Sequence, residues 1–395
     1  MIKRKKKNIE HNPFYAPTLK KRHVSAKRFK KFTLTSLIFS VAFLAFFLFD
    51  MIGKGIPAFN IAYIKTDVTF NEKTLEDTRF AVPTEYRNLV SRAALRDLPK
   101  LLEENPTYMN STQNIWILAS SQVDQYIKNH NHNLKDKDIA KVDELYAQGL
   151  IDKKFNAIFF ENGDSKIPEY AGIFSAVIGS ILTLIITMAV AFPIGVMTAI
   201  YLEEFAGDNK FTRFIEININ NLAAIPSILF GLLGLAIFIN LFGMPRSSPL
   251  VGGLTLALMT LPIIIVSSRA ALRAVPDSIR QAGYGLGLNK IQVTRDHVLP
   301  LAFPGIMTGS IIGLAQAMGE TAPLIIIGMI AFIPDAPSMV TQAATVMPAQ
   351  LFTWAGMPEG MYIEKTAAGI LVLLTILISL NAIAIFLRKK FEVKW

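Results

Sequence analysis

The chain has no cysteine, which excludes disulfides, thiolate metal sites and cysteine nucleophiles and leaves any exported portion to fold on packing alone. Histidine is scarce as well. His130 and His132 alternate in an Asn-rich stretch without a third ligand, so they read as solvated loop residues rather than a metal site. Charge is thin, 18% of residues against 52% hydrophobic, a balance too apolar for an average soluble protein and too charged for a chain that is membrane throughout. No run fits Gly-x-x-x-x-Gly-Lys-Ser/Thr, so the chain carries no such loop to cradle the phosphates of ATP, and energy for an active process must come from a partner. Acidic residues are nearly missing from positions 1–31, where twelve Lys/Arg stand against Glu10 alone. The net charge of +10 is therefore a basic tail and not a nucleic-acid face, since the remainder is close to neutral.

What is abundant is long apolar runs. A helix rising 1.5 Å per residue needs about 20 apolar residues to cross a hydrocarbon core of roughly 30 Å. Six segments qualify: Phe32–Ile52, Ile173–Tyr201, Leu222–Phe242, Leu250–Ser267, Phe303–Ile333 and Thr366–Leu387. The run from Phe32 has no small-residue cleavage site after it, which predicts an uncleaved helix. The basic tail 1–31, poor in apolar residues, is expected to be disordered and cytosolic near anionic headgroups. Alternation from that start places Arg269–Pro300, with five Lys/Arg against two Asp, and the final Arg-Lys-Lys on the same cytosolic side. It places 53–168 outside as a folded domain of mixed charge, and leaves 170–395 as a core of five transmembrane helices.

Three stretches carry the mechanism. The cytosolic stretch 269–300 has amphipathic helical periodicity on both sides of a small-residue centre, with Pro276-Asp277-Ser278 opening a second short helix and Gly283, Gly285 and Gly287 permitting close backbone approach. A dinucleotide-binding loop is excluded because the residues before these glycines are charged and helical, not a buried strand. In "LAQAMGETAPLIIIG", Gln316, Glu320 and Thr321 interrupt an apolar helix; Gln316 and Glu320, four apart, share one face. A charge at the bilayer centre costs about 3 kcal/mol, so this face is expected to line the translocation path or a polar contact between subunits, against the plainer reading of a structural hydrogen bond between helices. An ionised Glu320 would repel an anion, and pairing with an Arg of a neighbouring helix or subunit would keep the path neutral. In "NLAAIPSILFGLLGLAIF", Asn221, Pro226 and Ser227 are expected to free backbone groups or open a hinge, against the simpler reading of small-residue helix packing.

The stretch "QAGYGLGLNKIQVTRDHVLP" resembles the Glu-Ala-Ala loop of ABC importer permeases, with Gln281, Ala282 and Gly283 at the Glu-Ala-Ala positions, then Gly287, then Leu299 and Pro300. Gln281, Gly283 and His297 depart from the family pattern, while the spacing from Gly287 to Pro300 is kept. The resemblance implies an all-α membrane fold of the type I, MetI-like class, with an N-terminal helix and an inserted domain of unknown fold. It also implies a coupling helix, involving Arg273 as well, that docks into a nucleotide-binding subunit. The runs "NLAAIPSILFGLLGLA", "GGLTLALMTLPIII", "ALRAVPDSIRQAG" and "GETAPL" are similar, in the same order, to phosphate importer permeases of the PstA and PstC kind, the last favouring PstA. Many members carry Arg where Gln316 stands. This similarity implies half the channel of an inorganic phosphate importer in a bacterial cytoplasmic membrane. Its implied partners are a PstC-like permease, two PstB-like ATPases and a PstS-like binding protein, with ATP and magnesium used by the ATPase and no cofactor on this chain. The alternatives are a permease for sulfate or molybdate, which would share the coupling loop alone, an ion-coupled secondary transporter resting on Glu320, and a membrane-anchored enzyme or sensor with its chemistry in 53–168.

Overall fold

The computed structural model describes residues 19–330 and 332–391. Helix α1 (Leu19–Gly55) begins the described chain. The expected tail 1–31 lies partly outside it, at residues 1–18. Residues 19–31 correct the expectation of disorder: Lys, Arg and Ala without Pro or Gly are good helix formers, and they extend the apolar helix backwards.

An inserted domain follows, and its fold was not legible from the sequence. Strand β1 (Asn60–Phe70) is central in a three-stranded antiparallel sheet, flanked by β2 (Ser111–Leu118) and β3 (Ile151–Phe155). Tyr63 pairs with Leu118 on one side and Asp152 on the other. Alternation along β1 buries Ala62, Ile64, Val68 and Phe70 on one face. That face meets Val123 of α2 (Ser121–Ile127) and Val142 and Leu145 of α3 (Asp136–Ala147) in one apolar core. His132 packs edge-on against Tyr126, with ring centroids 4.9 Å apart, rather than standing free in a loop. Short α4 (Ala157–Glu161) closes the domain.

The permease core starts with α5 (Phe174–Ile200), which widens into a π turn, Tyr201–Phe205. Next come α6 (Lys210–Ala223) and α7 (Ser227–Gly234), continued by a π stretch to Leu241. These two are bent by 103° at Pro226. Thus the third span begins at Ser227, not Leu222, because proline lacks the N–H that would continue the helix. Helix α8 (Pro249–Arg273) is central and packs against α5, α6, α7 and α10. Then follow α9 (Asp277–Gly285), α10 (Leu299–Gly319), α11 (Ala322–Ile326), α12 (Met347–Ala355) and α13 (Gly360–Phe391). Among the described residues five helices are long and apolar enough to cross a membrane, six if the bent pair counts as one. Close helix approach uses glycine: a Cβ on Gly195 would lie 2.7 Å from Ile264 Cγ2, and one on Gly305 2.6 Å from Ala271 Cβ.

The expected span Phe303–Ile333 is shorter than the hydropathy suggests. Helix α10 stops at Gly319, Glu320 is extended (φ −77°, ψ 126°), and the chain resumes as the five-residue α11. A returning loop is tied to the core by Ala344 N–H to Ser247 O at 2.8 Å and Leu250 N–H to Val340 O at 2.9 Å.

The inserted domain is bolted to α13 by buried charge. Lys128 Nζ lies 2.7 Å from both Asp124 Oδ2 and Glu364 Oε1, with all three side chains 5% exposed or less. Gln125 Nε2 donates to Glu364 Oε2 at 2.6 Å. Lys365 Nζ donates to the carbonyls of Pro168 and Ala171, both at 2.6 Å, and Trp354 Nε1 donates to Asp164 Oδ1 at 2.8 Å. Burial raises the carboxyls of Asp124, Asp164 and Glu169 above the ordinary range.

Candidate coupling and translocation site

Three arginines and two glutamates join the ends of α5, α8 and α9. Arg269 and Arg273 lie four apart on α8, hence on one face, and both reach Glu203 of the π turn, at 3.4 and 2.9 Å. Arg269 Nη2 also bonds Glu216 of α6 at 2.5 Å. Arg280, on α9, turns back toward the end of α8: its guanidinium donates to Val275 O at 2.7 Å, Leu272 O at 2.9 Å and Glu204 Oε1 at 2.7 Å. It therefore adds a side-chain donor to Leu272 O, which already accepts from Val275 N–H at 3.2 Å, and holds Val275 O just beyond the end of α8. The Arg280 and Glu204 side chains are only 15% and 4% exposed, so the pair is largely shielded from water and salt. α9 is thereby fixed to two membrane helices at once.

Of these residues the sequence analysis singled out Arg273 alone. Glu203 and Glu204 passed unnoticed, although two adjacent carboxylates closing an apolar span are themselves a readable signal of basic partners.

Beyond Arg280, α9 turns its face. Gln281 and Ala282 are exposed, while Gly283 is buried, its missing side chain leaving room for Val293, whose Cγ2 would stand 2.8 Å from a Cβ. Gly287, at φ +80°, lets the chain leave the helix, where Gly287 N–H donates to Tyr284 O at 2.9 Å. Asn289 and Gln292 then form a capping box that starts the next turn, and a π stretch, Val293–Val298, delivers Leu299 and Pro300 to the head of α10. The result is an open, mostly apolar groove of about 300 Å³ lined by Ile279, Ala282, Gly283, Leu286, Asp296, His297, Pro300 and Leu301. Ala282, Gly283 and Pro300 of the expected coupling set meet there; Arg273, Gln281, Gly287 and Leu299 do not line it. Leu286 of its lining is 80% exposed, and Ile291, two residues before the π stretch, is 62% exposed.

The expected translocation residues fall at two helix breaks. Asn221 is exposed on the last turn of α6, Pro226 caps α7 and Ser227 begins it. Gln316 is exposed on α10, and Glu320 and Thr321 are half-buried at the second break. Gln316 and Glu320 do not share a helical face, since the helix ends between them; proximity to Pro323, which cannot donate, is the physical reason. Among the described residues Glu320 has no ion-pair partner in this chain. The helices that follow the two breaks pack directly on one another, a Cβ on Gly231 of α7 lying 2.8 Å from Pro323 Cα.

A family model described as binding-protein-dependent transport system inner membrane component matches residues 191–393, and one described as a domain of unknown function matches 16–84 and 76–136. The phosphate transport system permease protein PstA of Mycobacterium leprae is 36% identical over 160 residues, 40% of this chain and 52% of its own length. The PstA of Yersinia pestis is 31% identical over 245 residues, 61% of this chain and 81% of its own length. The chain spans about half the length of the first of these relatives. An inward-facing structure of the MetNI methionine ABC transporter is similar at a TM-score of 0.45 with 16% identity, covering 56% of this chain and 98% of that one. The matched segment begins within α5 and takes in the arginine–glutamate pairs, the groove and both helix breaks, so the chain belongs to the family of binding-protein-dependent transport system inner membrane components, as a PstA-type permease.

Proposed function

We propose that this chain forms half of the translocation path of an ATP-driven inorganic phosphate importer. In this reading α9 and its groove dock into a cytosolic ATPase subunit, which binds ATP and magnesium, and the chain itself catalyses nothing. A PstC-like permease supplies the other half, two PstB-like ATPases the power, and a PstS-like binding protein the substrate. The observation that carries the reading is the bonding of Arg280 to Glu204 and to the last carbonyls of α8, which links the proposed docking helix to two membrane helices. The α1 terminus and α9 face the cytosol, and the inserted domain lies outside, as the Lys/Arg bias of the connecting segments supports. Asn221, Pro226, Ser227, Gln316, Glu320 and Thr321 are assigned to the path or to the contact with the second permease. Glu320 takes its counter-charge from that second permease.

The test is ATP-dependent uptake of labelled phosphate into vesicles holding the co-purified complex, with sulfate and molybdate as competitors. Uptake that needs ATP and is indifferent to sulfate is expected. Competition by sulfate would transfer the assignment to another oxyanion, and uptake without any ATPase subunit would sink the coupling role of α9.

A further inference from the structure

Three phenylalanine rings, Phe59, Phe160 and Phe155, form a row at one edge of the inserted domain. Phe59 and Phe160 stack with centroids 5.8 Å apart at 11°, and Phe160 and Phe155 stack at 5.8 Å and 7°. The row is rooted in the permease core. Phe159 meets Phe160 edge-on at 5.1 Å and Trp354 at 6.5 Å, within a cluster that includes Ala176 and Ala368, near the starts of the apolar runs of α5 and α13. From this buried root the row grows steadily more open: Phe160 is 37% exposed, and Phe155, the last residue of edge strand β3, is 65% exposed. Ile56, the residue after α1, is 52% exposed.

Single exposed apolar residues need no explanation, but a continuous aromatic row that begins at the ends of membrane spans does. Phenylalanine rings bury about 150–250 Å² each when removed from water. Lys153 shares the side of β3 that carries Phe155, by the two-residue period of a strand, and is exposed. An aromatic body beside a lysine that extends its ammonium toward phosphates is the pattern of the bilayer interface.

We propose that this row is a membrane foot: Phe155, Phe160 and Ile56 sit in the lipid headgroup layer, with Lys153 reaching lipid phosphates. Lipid is the occupant because the row is continuous with the spans, through the chain at Ile56 and through packing at Phe159. The foot and the Lys128–Glu364 bolt then hold the inserted domain at two points, one against the bilayer and one against α13. This inference does not depend on which solute the permease carries.

The absence of native cysteine makes the test direct. Phe155→Cys and Phe160→Cys, each carrying a nitroxide, are compared with Glu72→Cys beyond the far end of β1, which is exposed and about 30 Å along the strand from the residue paired with Phe155. The full chain is studied in its co-purified complex, in bilayer discs of phosphatidylethanolamine and phosphatidylglycerol. The expected result is relaxation by oxygen over relaxation by a water-soluble nickel chelate several-fold higher at 155 and 160 than at 72. Ratios equal to that at 72 would overturn the proposal, since the row would then stand in water. Protection from both relaxants would also overturn it, since a protein surface would then cover the row. The 160 site, less exposed than 155, gives a second reading should the label at 155 disturb the strand, and circular dichroism of each labelled variant reports whether it has folded.

Discussion

Replacing Glu204 with alanine removes the buried carboxylate that meets Arg280; Asp277, its other acidic partner among the described residues, is 3.3 Å away and 85% exposed. The guanidinium keeps its two carbonyl bonds at 2.7 and 2.9 Å, so it is not stranded completely. Removing one partner of a buried ion pair costs about 3 to 5 kcal/mol, and the surviving carbonyls argue for the lower end. At 1.4 kcal/mol per tenfold, a loss of about 3 kcal/mol weakens the hold on α9 by roughly 100-fold. The α9–α8 connection then becomes slack while the groove proposed to meet the ATPase is untouched, since Glu204 does not line it. The readout is the ratio of phosphate taken up to ATP hydrolysed in vesicles of the complex. The complex carrying Glu204→Ala is expected to assemble and its ATPase subunits to hydrolyse ATP while that ratio falls at least about tenfold, given the loosening above. Glu204→Gln, which keeps an acceptor, and Arg280→Lys, which keeps the charge without the fork, are expected to fall between. An unchanged ratio in Glu204→Ala would refute the idea that this pair transmits force.

Other consequences can be checked separately. Gly283→Leu drives a side chain into Val293, spreading α9 from the turn beyond it, and is expected to reduce ATPase subunits retained on the purified complex, with Gly283→Ala intermediate. Glu320→Ala is expected to lower phosphate uptake while ATPase binding persists; unaltered uptake would remove Glu320 from the path. Asp164→Asn tests burial. Because desolvation raises the Asp164 carboxyl in the folded protein, its contribution to stability is fullest below the unfolded value of about 4 and is lost as pH rises through the folded value. The melting advantage of wild type over Asp164→Asn is therefore expected to grow on acidification from neutral pH, and the opposite slope would reject the assignment.

How much was legible follows the range of each interaction. The spans at α5 and α8 could be read because bilayer burial demands an unbroken apolar run and nothing else. The same averaging over a window hid the breaks: Gly319 and Glu320 sit among residues so apolar that hydropathy continues across them, while the hydrogen-bond ladder does not. Gly283 and Gly287 could be marked as special from spacing, and their reasons differ, one a close approach to Val293 and the other a positive φ. The inserted domain showed only helical fragments in the sequence, because its sheet pairs β1 with strands some 50 and 90 residues further on.

By itself the sequence determined that this chain lives in a membrane, where its apolar runs lie, that it holds no thiol chemistry, and that a patterned basic loop separates two late spans. These are properties of composition and local period. Only tertiary structure decided that Glu204 grips Arg280, that Glu364 answers Lys128, and that Gln316 and Glu320 part company at a helix end. The reason is physical: a charge pair forms where folding removes water from both partners, and no spacing along the chain specifies where that happens.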